Sequence, residues 1–320
     1  MVDKALSDFI CEKTHATRVA RCDLIQSLWG GYGQLFRCHL DGAAHSTVIV
    51  KKVHWPHGSK RESNLSHKRK VRSYQVEINW YKKWAPSCDS ACRVPLCFGE
   101  HSHSDGIWLV LEDLDSAGFA HRRHSVSDAE ARVCLSWLAH FHARFLGEKP
   151  EGLWKLGTYW YLDTRPDELK LMNDAALRAG APAIDRALRK STWQTLVHGD
   201  AKLANFCFSK DGREVAAVDF QYVGGGVGVK DVAYLIGSCY TEESSERLET
   251  ALLAHYFGEL RRALLLYKPT VDFLALETDW RALYPVAWVD FHRFLKGWSP
   301  QHWDPQSYSE RLSRLVLAGL

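Results

Sequence analysis

The stretch from Leu196 to Asp219, LVHGDAKLANFCFSKDGREVAAVD, constrains this chain more than any other. Asp200, Asn205 and Asp219 each stand at the edge of a short apolar run. Thr195-Leu196-Val197 leads into His198-Gly199-Asp200, Phe206-Cys207-Phe208 follows Asn205, and Val215-Ala216-Ala217-Val218 leads into Asp219-Phe220. Short apolar runs bounded by Gly and Asp read as buried strands. Ser209-Lys210-Asp211-Gly212 then reads as a hairpin turn, with Asp-Gly as its signal. A hairpin here carries Asn205 and Asp219 to the same end of a strand pair, with Asp200 on the loop that feeds it. An Asn amide and an Asp carboxylate are hard oxygen donors of the kind Mg²⁺ takes. A second carboxylate nearby can accept or orient the proton of an attacking hydroxyl. The pattern suits phosphoryl transfer; the alternative is a polar hairpin in some other α+β enzyme.

Upstream, Asp23 to Leu40 reads as strand, turn, strand, with the turn at Leu28-Trp29-Gly30-Gly31-Tyr32-Gly33. Glycines let a backbone approach a phosphate closely and expose its N–H groups, although such a turn alone is usually just a hairpin. The next element, Thr47 to Val53, is a β-branched strand that ends an apolar triplet with Lys51. Lys52 falls on its opposite face, because side chains alternate along a strand. A helix follows from about His67 to Trp84, with Val71, Tyr74, Ile78 and Tyr81 as its apolar stripe. Glu77 lies at the edge of that stripe, where a carboxylate needs a partner, and Lys51 is the obvious one. Two strands, Arg93 to Gly99 and Ile107 to Leu111, run into Glu112-Asp113-Leu114-Asp115.

Ser127-Asp128-Ala129-Glu130 is a capping box that opens a helix to about Gly147, buried along Leu135, Leu138, Phe141 and Phe145. His142 lies among them and reads as a core histidine bonded to backbone. The chain from Trp154 to Leu196 reads as mostly helical. Gln221 to Lys230 reads as a flexible glycine loop, followed by a helix from Val232 to about Ser238 that Asp231 caps. Further helices are expected over about Ser244 to Tyr267, around Trp280 to Gly297, and from Tyr308 onward.

A net charge of +3 is too small to argue for nucleic acid or an anionic membrane. The basic residues Lys60, Arg61, Lys68, Arg69, Lys70 and Arg72 read as a solvated loop entering a helix. No apolar run approaches the roughly 20 residues that span a bilayer, and the N-terminus lacks the apolar core of a secretory signal. Nine scattered cysteines suggest reduced thiols and a cytoplasmic protein. Cys88, Cys92, Cys97, His101 and His103 are metal-capable, but their spacing matches no common zinc pattern and favours buried thiols and loop histidines.

The run His198-Gly199-Asp200-Ala201-Lys202-Leu203-Ala204-Asn205, followed by Asp219-Phe220, resembles the catalytic loop and metal-binding Asp of the protein-kinase fold. With the motifs from Gly30 to Asp231, the chain is similar to the small-molecule branch of that superfamily: aminoglycoside phosphotransferases, choline kinases and the ecdysteroid-kinase-like (CHK-type) proteins. The last group looks closest, on Leu109-Val110-Leu111-Glu112-Asp113-Leu114 and the form His198-Gly199-Asp200. The resemblance implies an α+β, two-lobe, protein-kinase-like fold. Its parts are a small antiparallel-sheet N-lobe with one helix over 1–111, a linker over 112–116, and a larger helical C-lobe over 117–320. It implies ATP and Mg²⁺, with Asn205 and Asp219 as metal ligands and Asp200 as the group that orients or deprotonates the acceptor. Gly30, Gly31, Gly33 and Lys51 with Glu77 fall at nucleotide-binding positions, and Glu112 and Leu114 fall in the connector whose backbone binds adenine. It also implies that Asp231 braces the catalytic loop.

Gly199 stands where protein kinases place an Arg that pairs with an activation-loop phosphate, and only Phe220 to Lys230 separate Asp219 from Asp231. That leaves no room for a long peptide-docking segment, so the expected partner is a small-molecule hydroxyl acceptor, with no obligate protein partner. A non-catalytic nucleotide-binding module is the competing reading, and a protein kinase a more distant one. Tyr234, Tyr240, Tyr284, Trp288, Trp298 and Trp303, with Glu243, Asp290 and Asp304 among them, could bind a cationic amino alcohol or an apolar alcohol; most are expected to be core.

Overall fold

The computed structural model describes residues 2–55, 65–299 and 303–320. Lys60 and Arg61 of the basic run lie outside the described residues. The chain divides into two units: residues 1–89, 93–122 and 207–218 form one, and residues 90–92, 123–206 and 219–320 the other. The architecture is α+β, with an antiparallel sheet in the first unit and helices dominating the second.

The first unit is built on β1 (Arg18–Ser27), β2 (Gly33–Asp41), β3 (Thr47–His54), β4 (Cys97–His103) and β5 (Gly106–Glu112), ordered β1-β2-β3-β5-β4 with every pairing antiparallel. Its alternation is visible in β3, where Val48 and Val50 are buried on one face and Val53 on the other. Two helices cover it. One is α1 (Lys4–Thr14), which the apolar pattern did not announce; it starts at Asp3, whose carboxylate accepts from the Leu6 amide. Leu6 and Ile10 of α1 pack with Phe36, Cys38, Val48, Val50 and Val110 in one apolar core. The other is α2 (Leu65–Asn79), extended by a π-helical turn over Trp80–Trp84. Its buried face includes Tyr74, Val76, Glu77 and Ile78. Cys22 and Cys38, facing each other across β1 and β2, form a disulfide, so the expected all-thiol state does not hold for these two.

The second unit begins with α3 (Asp128–Arg144), capped as expected by the Ser127–Glu130 box and buried along Leu135, Leu138, Phe141 and Phe145. Between Trp154 and Leu196 only α4 (Pro166–Leu171) and α5 (Ala175–Lys190) are α-helical. Strand β6 (Thr195–Val197) follows. Residues 206–208 and 215–217 then form β7 and β8, the predicted hairpin, whose turn is closed by the Ser209 amide on the Glu214 carbonyl at 2.9 Å. The hairpin residues 207–218 group with the sheet unit, while Asn205 and Asp219 on either side belong to the helical one.

The glycine run expected to be a flexible loop instead makes a strand, β9 (Gly224–Gly226), antiparallel to β6. A Cβ on Gly224 would stand 2.3 Å from the Trp154 carbonyl oxygen, so only glycine lets the Trp154–Gly157 backbone lie against this strand. The remaining helices are α6 (Val229–Cys239), α7 (Glu242–Tyr267), α8 (Phe273–Trp298) and α9 (Tyr308–Gly319). Among the described residues no helix is long and apolar enough to cross a membrane.

Candidate active site

Lys51 and Glu77 meet inside the first unit. Alternation along β3 sends Lys51 inward, and the helical spacing of α2 sets Glu77 on its buried face. The Lys51 ammonium donates to both Glu77 oxygens, at 2.8 and 2.7 Å, with side-chain exposures of 9% and 4%. A buried charge needs such a partner. Lys52 points the other way and pairs with Asp3 at 2.7 Å.

The glycine turn lies between β1 and β2, and two of its glycines, Gly30 and Gly31, hold φ of +71° and +76°. Gly33 is required for a different reason: a Cβ there would stand 2.0 Å from the Lys52 carbonyl oxygen of β3. Tyr32 ties the turn to α2 through its hydroxyl, 2.6 Å from His67 Nδ1.

Glu112 ends β5 and Leu114 follows it. The Glu112 carboxylate receives the Arg93 guanidinium at 2.6 Å and the Leu96 amide at 3.0 Å. Arg37 donates to Asp113 at 2.6 Å and also bonds Asp115. The Leu114 carbonyl accepts from the Phe119 amide at 2.8 Å. The acidic side chains of the linker are therefore engaged by arginines of their own unit.

The second unit gathers the other three polar residues. Asn205 donates both amide hydrogens to Asp200, one to its backbone carbonyl at 2.7 Å and one to Oδ2 at 3.0 Å. That fixes the amide nitrogen on Asp200 and leaves the amide oxygen with lone pairs to offer a cation. Asp219 carries φ +68°, a left-handed conformation that costs a non-glycine residue on the order of 1–3 kcal/mol. The Gln221 side chain holds one of its oxygens at 2.7 Å. An amide oxygen and a carboxylate form a hard donor pair that fits Mg²⁺, which takes one or two protein oxygens and fills the rest of its shell with water and phosphate.

Asp200 is not the open carboxylate that its place on the feeding loop suggests. It is buried, and Lys202 lies 3.2 Å from Oδ2. Oδ1 accepts from the Tyr234 hydroxyl at 3.3 Å. Burial pushes the carboxyl up to about 6; the charge of Asp219 adds to this, while Lys202 and the Asn205 hydrogen bond oppose it.

Asp231 does not cap α6, whose N-cap is Gly228. Its carboxylate accepts instead from the His198 amide at 2.5 Å and the Gly199 amide at 3.0 Å, bracing the His198–Asn205 loop from inside. His142 completes the brace. It is fully buried, but its ring bonds side chains rather than backbone: Asp231 at 3.1 Å and Tyr256 at 2.9 Å. The Asp200 amide donates to His198 Nδ1 at 3.2 Å, which sets the His198 ring proton on Nε2. Gly199 sits at φ +80°, and a Cβ there would meet the Tyr222 carbonyl oxygen at 2.1 Å, so no side chain fits.

A model of a phosphotransferase enzyme family matches residues 29–267. The chain belongs to that phosphotransferase family. No curated protein matches it significantly along the sequence. Among solved structures, this phosphotransferase is similar to macrolide 2'-phosphotransferase MphH from Brachybacterium faecium, at 15% identity and TM-score 0.49 over 94% of this chain and 98% of that one. It is similar to a putative fructosamine-3-kinase from Thermobifida fusca, at 16% identity and TM-score 0.49 over 98% and 96%. It is also similar to the Plasmodium vivax ethanolamine kinase, at 12% identity and TM-score 0.46 over 94% and 82%.

Lys202, Gln221 and Tyr159, to which the sequence assigns no role, carry structure at this site, as does Tyr234, expected only as core or an acceptor contact. Lys202 and Gln221 lie beside the motif residues and were open to a polar-partner search. The tyrosines reach Asp200 from other segments, and no local spacing reveals them.

Of the metal-capable group in the first half, Cys92 is buried and Cys88 and Cys97 are half-buried. Burial pushes the Cys97 thiol up to about 11, away from the thiolate a metal needs. Among the described residues no group of three or more His, Cys, Asp or Glu is placed to hold a metal ion. Half of the late aromatics are core, fewer than expected: Tyr234, Tyr284 and Trp288 are buried, Tyr240 and Trp303 are half-buried, and Trp298 is 54% exposed. Asp290 is committed to Lys230 at 3.2 Å, Arg293 at 2.9 Å and the Trp160 indole at 3.0 Å, so it is no free counter-charge for a cationic acceptor.

Proposed function

We propose that the chain moves the γ-phosphate of ATP to a hydroxyl of a small molecule. One observation carries the reading: Asn205 grips Asp200 through its amide nitrogen, which leaves the amide oxygen to serve as a ligand, beside a loop braced at two amides by Asp231. Nothing in fold maintenance alone requires a buried carboxylate, an oriented amide and a left-handed Asp219 on neighbouring segments.

Asp200 Oδ2 already receives two donors, whereas Oδ1 receives only Tyr234 among the described residues. Oδ1 therefore has the capacity to accept the proton of the acceptor hydroxyl. As the acceptor oxygen bonds to the γ-phosphorus and the bond to the β–γ bridging oxygen breaks, that proton passes to Oδ1 and ADP leaves. Phosphoryl-transfer transition states are loose, so Asp200 acts mainly by orienting the hydroxyl and by accepting its proton late. Asn205 and Asp219 would hold Mg²⁺, which neutralises charge developing on the phosphate oxygens. Lys51, fixed by Glu77, would hold the α/β-phosphates. The amides of Gly30, Gly31 and Gly33 would cover them, and the backbone at Glu112 and Leu114 would take adenine.

Within the family we place the chain nearest the ecdysteroid-kinase-like group, on its linker and its His198-Gly199-Asp200 form. The test is ATP turnover against a panel of hydroxylated metabolites. Acceptor-dependent ADP formation that disappears in Asp219→Asn supports the reading; ATP binding without any turnover would make the chain a nucleotide-binding module instead.

A further inference from the structure

Segment Gly157–Tyr161 is laced into the site from outside the motif. The Gly157 amide donates to the Gly225 carbonyl at 2.8 Å and the Thr158 amide to the Tyr222 carbonyl at 3.1 Å. The Tyr159 amide donates to the Gly199 carbonyl of the catalytic loop at 3.1 Å. The segment thus joins the loop before Asp200 to the loop after Asp219. Thr158 adopts φ +93°, a genuine outlier for a β-branched residue, and is 3% exposed. Such strain persists only where surrounding bonds over-determine it.

The strained turn delivers the Tyr159 ring. Its hydroxyl donates to that of Tyr234 at 3.2 Å, which donates to Asp200 Oδ1 at 3.3 Å. Tyr234 comes from α6, one turn beyond Asp231, so the helix that braces the loop backbone also touches its carboxylate. Both rings are held by edge-to-face packing. Tyr159 lies 5.3 Å from Phe294 and 5.9 Å from Tyr222, and Tyr234 lies 4.9 Å from Trp160. Burial pushes the Tyr159 hydroxyl up to about 12 and that of Tyr234 higher still, so both keep their protons and serve as donors.

We propose that Tyr234 and Tyr159 are positioning residues for the transfer step: a Tyr159-to-Tyr234-to-Asp200 hydrogen-bond chain fixes the one carboxylate oxygen that has room for the acceptor proton. The inference rests on the reading of Asp200 as the acceptor-facing carboxylate. Both bonds lie at the long end of the hydrogen-bond range, which is common where a bond tightens in the reacting complex. Losing the Tyr234 hydroxyl leaves Oδ1 free to rotate away without changing the nucleotide's own ligands.

The experiment uses the full chain with Mg–ATP, and as acceptors water and the most active alcohol of the panel. Tyr234→Phe is expected to lower kcat about tenfold, the effect of one lost hydrogen bond to a charged group, with KM for ATP unchanged. Tyr159→Phe should give a smaller loss, about threefold, and the double variant should be no slower than Tyr234→Phe alone. In an Asp200→Asn background Tyr234→Phe should have no further effect on kcat. A merely structural role would lower kcat equally in both backgrounds or raise KM for ATP, and either result overturns the inference. So does an unchanged kcat in Tyr234→Phe while Asp200→Asn is slow. If Asp200→Asn turns over like the parent, or the parent does not turn over at all, the reading of Asp200 fails and the inference falls with it.

Discussion

Asp219 combines a left-handed backbone with a half-exposed carboxylate held by Gln221, and this sets how it is best tested. Asn tolerates left-handed geometry, so Asp219→Asn keeps the turn and removes the charge. Metal charge stabilisation is worth several kcal/mol, so transfer should fall by at least about a hundredfold with thermal stability nearly unchanged. Turnover beside a melting curve checks this, and an unchanged rate removes the metal assignment. Gly199 makes the complementary case. Its φ of +80° and the 2.1 Å approach of the Tyr222 carbonyl leave no space for a methyl group. Gly199→Ala should destabilise the second unit by about 1–2 kcal/mol from backbone strain alone, more once the clash is included, and denaturant unfolding reads it directly.

At the scale of elements, β3 and α2 are joined by a buried ion pair, and buried pairs are asymmetric. Removing one partner strands a charge and costs about 3–5 kcal/mol, whereas replacing both by apolar residues can be nearly neutral. Lys51→Met should therefore be less stable than Lys51→Met/Glu77→Leu, yet both should be equally poor in turnover. Recovery of activity in the double variant would show that the pair serves the fold alone. Lys52→Ala, on the other face, should leave turnover intact. The β3 lysine, the α2 carboxylate and the 206–217 hairpin were legible because alternation, helical spacing and turn chemistry are local signals. Helix α1 was legible in principle from Asp3 with Leu6 and Ile10, but its stripe is short. Strand β9 was not: three glycines carry no apolar pattern, and only the close approach of Trp154 explains them. The burial of Asp200 was equally hidden, because Tyr159 and Tyr234 come from distant segments.

For the molecule as a whole, the pH dependence of stability follows from groups that burial controls. His292 is buried against Glu310 and Trp303. Burial holds its pKa below the ordinary histidine value, outweighing the pull of Glu310. The unfolded chain binds this proton below about pH 6.5 and the folded chain resists it, so the stability His292 contributes is complete above that pH and lost as pH falls. The melting temperature should drop between pH 7.5 and 5.5, and His292→Asn should flatten part of that drop; an equal drop in the variant removes His292 as the cause. Function turns on Asp200. Asp200→Asn preserves shape and removes charge, so the decisive measurement is ATP affinity beside turnover in that variant. The account predicts a kcat lower by about 10²–10⁴ with ATP affinity nearly unchanged. Loss of ATP affinity with turnover surviving at saturating ATP would make Asp200 a nucleotide-site residue and contradict the account.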